Sequence, residues 1–202
     1  APEADQPLVE LDELVTETDF VNYSGVEGSD VVTKELKRLE GHQWIRKFSS
    51  YAELTRFLGP EAVLSRIGLI TKTRAGRTKH RLVVDSKRSG VSKAARRYER
   101  CVLPRASDVI KDVLSLLTSI LAEDPGADLS ECFVMMVADF RDAFFINPLA
   151  PEERKYFCVQ FGGAYYCFLR TTQGSRGAPL TWARLAALVS RLTQAALGDE
   201  CR

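Results

Sequence analysis

Two carboxylates, Asp139 and Asp142, stand in an otherwise mostly apolar stretch, VMMVADFRDAFFINPL, that runs from Val134 to Leu149. Charged groups are seldom buried without a partner, so each calls for a cation, a salt bridge or a backbone cap. Asp139 follows the apolar run CFVMMVA, which reads as a buried strand. A carboxylate that closes such a strand needs a hard cation or a partner Arg. Mg²⁺ suits the position, because it takes one or two protein carboxylates and fills its shell with substrate phosphates. Asp142 begins a short helical turn, DAFF, which it either caps through backbone N–H groups or leaves for one of the other partners.

A second group, TTQGSRGAPLTW, sets Gln173-Gly174 and Gly177-Ala178-Pro179 around Arg176 just before a helix. Gly-rich backbone ahead of a helix N-terminus lets a ligand approach closely, and it also makes an ordinary turn. The third feature is charge. Net charge is only +1, yet Glu3, Asp5, Glu10, Asp12, Glu13, Glu17 and Asp19 meet no base. The run Lys72, Arg74, Arg77, Lys79, Arg81, Lys87, Arg88, Lys93, Arg96, Arg97, Arg100 and Arg105 is interrupted only by Asp85 and Glu99. A tail of one sign and a patch of the other is either a solvated surface or a seat for a polyanion.

The elements that must position these groups follow from period and punctuation. With 202 residues, 45% hydrophobic and 27% charged, the chain has the composition of a globular protein of about one domain. Residues 1–28 read as a flexible acidic leader and 29–202 as the folded domain. Ser29 or Asp30 caps a helix DVVTKELKRLEG, and SYAELTRFLG and PEAVLSRIG read as two shorter helices, the second with Pro60 in its first turn. LITKTRAGRTKHRLVVD is a basic hairpin. The stripe Val109, Val113, Leu116, Leu117, Ile120 and Leu121 marks a core helix over 107–122. KYFCVQF and AYYCFLR are strands joined at Gly162-Gly163, and APLTWARLAALVSRLTQAAL is a long helix. An α+β fold results, an antiparallel sheet backed by helices.

Five cysteines without a Cys-x-x-Cys pair, beside only His42 and His80, argue against structural zinc and for reduced, buried thiols in an intracellular protein. No apolar run nears the roughly 20 residues that span a bilayer, so no membrane is expected. The absence of a recognisable tail after GDECR suggests a piece of something longer.

Taken together, the motifs resemble the reverse transcriptases of retroelements. VADFRDAFFINPLAPEERKYF is similar to their motif A, QGSRGAP to motif B, and KHRLVVDSKR to the fingers segment, with Leu103-Pro104 ahead of a helix also matching. The resemblance covers about residues 30–195 and implies a right-hand polymerase, fingers and partial palm. On that basis Asp139, with the carbonyl of Phe140, would bind catalytic Mg²⁺ or Mn²⁺. Lys72, Lys79 and Arg81 would hold the triphosphate. Asp142, Ala143, Phe144, Gln173 and Gly174 would line the nucleotide pocket, Phe144 excluding a 2′-hydroxyl. Arg74, Arg77, Arg176, Gly177 and Pro179 would face the template. The partners implied are an RNA or DNA template-primer and a dNTP. Six phosphate contacts from the remaining bases would weaken template binding on the order of 10³-fold between 50 and 200 mM salt.

The sequence departs from the family pattern where it matters most. The aromatic-x-Asp-Asp pair expected after the motif B helix is not among these residues, and Asp199 does not replace it. A fragment that binds but does not polymerise alone is therefore expected, with a catalytically silent nucleic-acid-binding module as the alternative. An RNA-templated RNA polymerase is disfavoured by the bulk of Phe144. Smaller departures are Thr171-Thr172 where Leu-Pro is common, Ser175 where an aromatic is common, and Ser89-Gly90 in place of Leu-Asn.

Overall fold

Ser29 Oγ faces the Val32 amide and opens helix α1, Asp30–Gly41, in the computed structural model, which describes residues 21–95, 102, 105–132 and 137–197. The chain divides into two compact units, one from residues up to 99 and from 142 onward, the other from residues 100–141.

In the first unit, strand β1, Ile45–Phe48, follows α1, and Ser50 caps α2, Tyr51–Leu58. The ribbon strands are β2, Arg66–Arg74, and β3, Arg77–Asp85, closed by Ala75-Gly76 with positive φ at both residues, as a two-residue hairpin loop requires. A short helix α3, Val91–Ala94, comes next. The second unit contributes α4, Ala106–Glu123, and α5, Leu129–Cys132. Back in the first unit lie β4, Cys158–Phe161, β5, Ala164–Phe168, and the long α6, Ala178–Leu197, on the residues expected for it. The sheets are antiparallel, β1-β5-β4 and β2-β3, so the mixed α+β class expected from the sequence is the class observed.

Alternation along the three-stranded sheet feeds two apolar clusters. Val159, Phe161, Tyr166 and Phe168 pack with Val32, Leu36 and Leu39 of α1 and with Ile67, Leu82 and Val84 at the foot of the ribbon. Cys158 and Cys167 meet Phe48, Leu54, Ala62 and Leu64 in the other cluster. Val26 is fully buried, and the Asn22 side chain accepts from Ile67 N–H and donates to the Gln160 carbonyl, so the core begins before the expected boundary at residue 29. Residues 1–20 lie outside the described residues.

Three expectations fail. PEAVLSRIG forms no helix over 60–65: Val63 N–H donates to the Lys155 carbonyl and Ser65 N–H to the Cys158 carbonyl, which hold the segment extended against β4. Its consecutive apolar residues Ala62, Val63 and Leu64 are all buried, which an amphipathic helix could not achieve. Helix α4 forms, but none of its side chains is buried: on the expected stripe Val113, Leu117 and Ile120 are half-buried, and Val109, Leu116 and Leu121 are exposed. Beyond α4, the described part of its unit offers α5 and short connections, too little chain to cover the stripe. The strand expected before Asp139 falls partly on residues 133–136, outside the described residues. Its described end, 137–140, is neither strand nor buried, with Val137 88% exposed. Leu103-Pro104 and the basic residues Arg96, Arg97 and Arg100 also lie outside the described residues. Among the described residues no helix is long and apolar enough to cross a membrane.

Candidate nucleotide and nucleic-acid site

The register of the β2–β3 ribbon sorts its side chains by type. Ile70 pairs with Arg81, Lys72 with Lys79 and Arg74 with Arg77, alternating with Thr71 opposite His80 and Thr73 opposite Thr78. Because successive side chains point to opposite faces, Lys72, Arg74, Arg77, Lys79 and Arg81 all stand on one face. The other face carries three threonines and a histidine, joined by hydrogen bonds of 2.9 Å between Thr71 Oγ1 and His80 Nδ1 and 3.1 Å between Thr73 and Thr78. Residues 71–81 are exposed throughout. Like charges directly opposite each other weaken a strand pair, so Lys72–Lys79 and Arg74–Arg77 cost the ribbon stability while concentrating positive charge on one face.

At the foot of that face the Gln173-Gly174 loop lies along the outer edge of β3. Val84 N–H donates to the Gln173 carbonyl at 3.0 Å, and Ser86 Oγ to the Gly174 carbonyl at 2.8 Å. Gly174 has φ +102°, and a Cβ there would sit 3.3 Å from Val83 Cγ1 and overlap the Val84 carbonyl oxygen. Val83 belongs to the same face as Arg81. The Gly-rich loop thus abuts the Arg81 end of the cationic face.

A third segment, residues 143–146, joins them. Residues Ala143–Ile146 form a 3₁₀ turn that holds Phe144 half-buried. Thr171 Oγ1 donates to the Phe144 carbonyl, and Thr171 N–H to the Asn147 carbonyl at 3.0 Å. Thr171 is the link between this turn and the Gln173 loop two residues on.

Asp142 does not cap the turn. It takes φ +54°, its side chain makes no cap hydrogen bond to the turn, and its carboxylate meets Arg38 at 2.8 and 3.2 Å. The same guanidinium binds Glu35 at 2.7 and 2.9 Å and lies over Trp44, 5.6 Å from the ring centre. Hydrogen bonding to Glu35, and secondarily to Asp142, holds the Arg38 proton more tightly than usual against the opposing effect of burial. Trp44 stacks on Phe145 at 5.4 Å, so the turn is braced by an ion pair from α1 and by an aromatic contact from the residue just ahead of β1. The i, i+3 spacing of Glu35 and Arg38 was visible in the sequence, but nothing local pointed to Asp142.

Of the residues expected to face template, Arg74 and Arg77 are on the cationic face. Arg176 is turned inward, donating to the Ser92 and Ala95 carbonyls at 3.1 and 3.4 Å and so closing the end of α3. Gly177 lines a cleft of about 300 Å³ with Leu149, Tyr156, Phe157, Thr171 and Ser175, and Pro179 is exposed in the first turn of α6. Asp139 and Phe140 are exposed and belong to the second unit, whereas the ribbon, Phe144 and the Gln173 loop belong to the first. No protein-family model matches the chain, and no curated protein matches it.

Asp85, which ends the ribbon, accepts from Tyr23 Oη and from the Lys87 and Arg88 amides at 3.0 and 3.1 Å. Burial pushes its pKa up, but those hydrogen bonds outweigh it and leave the carboxyl below its ordinary value. A lowered folded pKa stabilises the fold above the unfolded value of about 3.9 and is lost as pH falls through the folded value. Acid titration of stability should therefore show a component below about pH 4 that Asp85→Asn removes, measured by denaturant midpoints across pH.

Proposed function

We propose that this chain is the fingers and part of the palm of a retroelement reverse transcriptase, an RNA-directed DNA polymerase segment that holds template-primer and a dNTP. The observation that carries the reading is the meeting of three motif segments far apart in sequence: the one-sided cationic ribbon, the Gln173-Gly174 loop at its foot and the Phe144 turn tied to that loop through Thr171. Cations beside a Gly-rich loop suit a triphosphate, because forked guanidinium donors match phosphate oxygens and the bare backbone permits close approach. Arg81, Lys79 and Lys72 would take the phosphates, and Phe144 would crowd the sugar. The Arg38–Asp142 pair gives Asp142 a positioning part, orienting the turn that bears Phe144.

Magnesium, when bound in such a site, supplies positive charge to the attacking and leaving oxygens. The described residues fit it only in part. Asp139 offers one exposed hard-oxygen donor, and among the described residues no three His, Cys, Asp or Glu side chains gather as a metal site. We therefore assign no transfer step to this chain. The silent-module alternative draws on the same ribbon and differs over Asp139 alone.

Primer extension on an RNA template with Mg²⁺ separates the two readings. The chain as it stands is expected to extend nothing. Continued through an Asp-Asp hairpin in its own reading frame, it is expected to extend the primer, and Asp139→Asn to lower the rate by at least about 10²-fold. Equal rates with and without the substitution would remove Asp139 from the mechanism.

A further inference from the structure

Cys158 and Cys167 face each other across β4 and β5 as register partners. Phe168 N–H donates to the Phe157 carbonyl at 2.9 Å, which makes the neighbouring pair hydrogen-bonded and Cys158–Cys167 a non-hydrogen-bonded pair. At such pairs the Cα atoms approach to about 4.5 Å, within the span a disulfide needs. Both thiols are directed to one acceptor, the Arg154 carbonyl, at 3.4 and 3.7 Å. Both are free and buried, in a pocket walled by Phe48, Leu54, Ala62 and Leu64. Two sulfurs aimed at one oxygen from facing strands share one small volume.

We propose that Cys158 and Cys167 form a cross-strand dithiol poised to close into a disulfide, a modification site that locks β4 to β5. The oxidant would be a low-molecular-weight disulfide such as oxidised glutathione. One cysteine gives its proton to solvent, and its thiolate attacks the glutathione disulfide, releasing one glutathione. The second cysteine, likewise deprotonated, attacks the protein sulfur of the mixed disulfide and releases the other glutathione. Two protein thiols lose two electrons and two protons, and one oxidised glutathione becomes two reduced ones. Its contact with Cys167 and its burial push the Cys158 thiol up, so attack is slow in the closed hairpin and proceeds through local opening. Mild denaturant should accelerate it.

The closed bond would hold the strand that runs into Leu169–Thr172 and hence into the Gln173 loop. Nothing in this inference depends on the polymerase reading.

The test uses the whole chain with Cys101, Cys132 and Cys201 replaced by Ser, equilibrated in glutathione redox buffers with mild urea, then acid-quenched and mapped by mass spectrometry. A disulfide linking the peptides of Cys158 and Cys167 is expected, with an equilibrium constant about tenfold or more above that of the same chain in unfolding urea, equivalent to about 30 mV. The oxidised form should melt higher than the reduced form. A native constant equal to or below the unfolded one, or a lower melting temperature, would overturn the proposal. Peptide mapping of the unsubstituted chain gives the same readout if the triple variant does not fold, and Cys158→Ala should trap only a glutathione adduct at Cys167.

Discussion

Replacing Lys72, Arg74, Arg77, Lys79 and Arg81 together with alanine is expected to lower affinity for an RNA–DNA template-primer by about 10² to 10³-fold near 100 mM salt, while the melting temperature holds or rises. With no dNTP present to occupy Lys72, Lys79 and Arg81, all five cations are open to backbone phosphates, and five contacts give a log–log salt slope of about −4, most of which the variant should lose. Stability goes the other way because the register sets Lys72 against Lys79 and Arg74 against Arg77, pairs whose repulsion costs the bare ribbon a few tenths of a kcal/mol or more each. The opposite face supplies the control. Replacing Thr71, Thr73 and Thr78 with alanine removes no cation, so affinity and salt slope should stay put. Fluorescence anisotropy across a salt series reads both variants. An equal loss from the threonine variant would sink the idea that the ribbon binds through one face.

That one-sidedness was within reach of the sequence. A two-residue loop at Ala75-Gly76 fixes which residues face each other, and the period of two then places every cation, yet the run reads at first as an undivided basic patch. Helices α1, α2 and α6 and both hairpins were equally legible, because Ser29, Ser50, Pro179, Gly76 and Gly162-Gly163 punctuate regular patterns. Strand β1 was missed. Its four residues are buried only at Ile45 and Phe48, a pattern too short to show a period. The segment PEAVLSRIG, 60–68, reads as a helix with Pro60 in its first turn, whereas long-range bonds to Lys155 and Cys158 and the β2 ladder from Arg66 decide its shape. Arg38 and Asp142 are joined across 104 positions of sequence. Thr171 looked like a defect in a motif and is a hydrogen-bonded bridge. Local rules found the groups that punctuate; the groups that connect were visible only once the chain was folded.

Gly174→Ala is expected to detach the Gln173 loop from β3. The new Cβ would stand 3.1 Å from the Val84 carbonyl carbon and closer still to its oxygen, and backbone at that spot cannot rotate aside as a side-chain tip could. The φ of +102° adds strain that glycine does not feel. Relief requires the loop to lift, which breaks the bonds from Val84 N–H to Gln173 and from Ser86 Oγ to Gly174. Strain and two lost hydrogen bonds together amount to about 2 to 4 kcal/mol, a large share of the stability of an ordinary domain. Hydrogen exchange locates the damage: the Val84 amide should lose protection by about 10²-fold, while amides of α1 change less. Gly177→Ala is the control, since a Cβ there meets nothing within 4 Å and should leave Val84 protected. If Val84 stays equally protected in Gly174→Ala, the loop is not seated on the strand edge. The contiguity of loop and cations, on which the nucleotide-site reading stands, would then be lost with it.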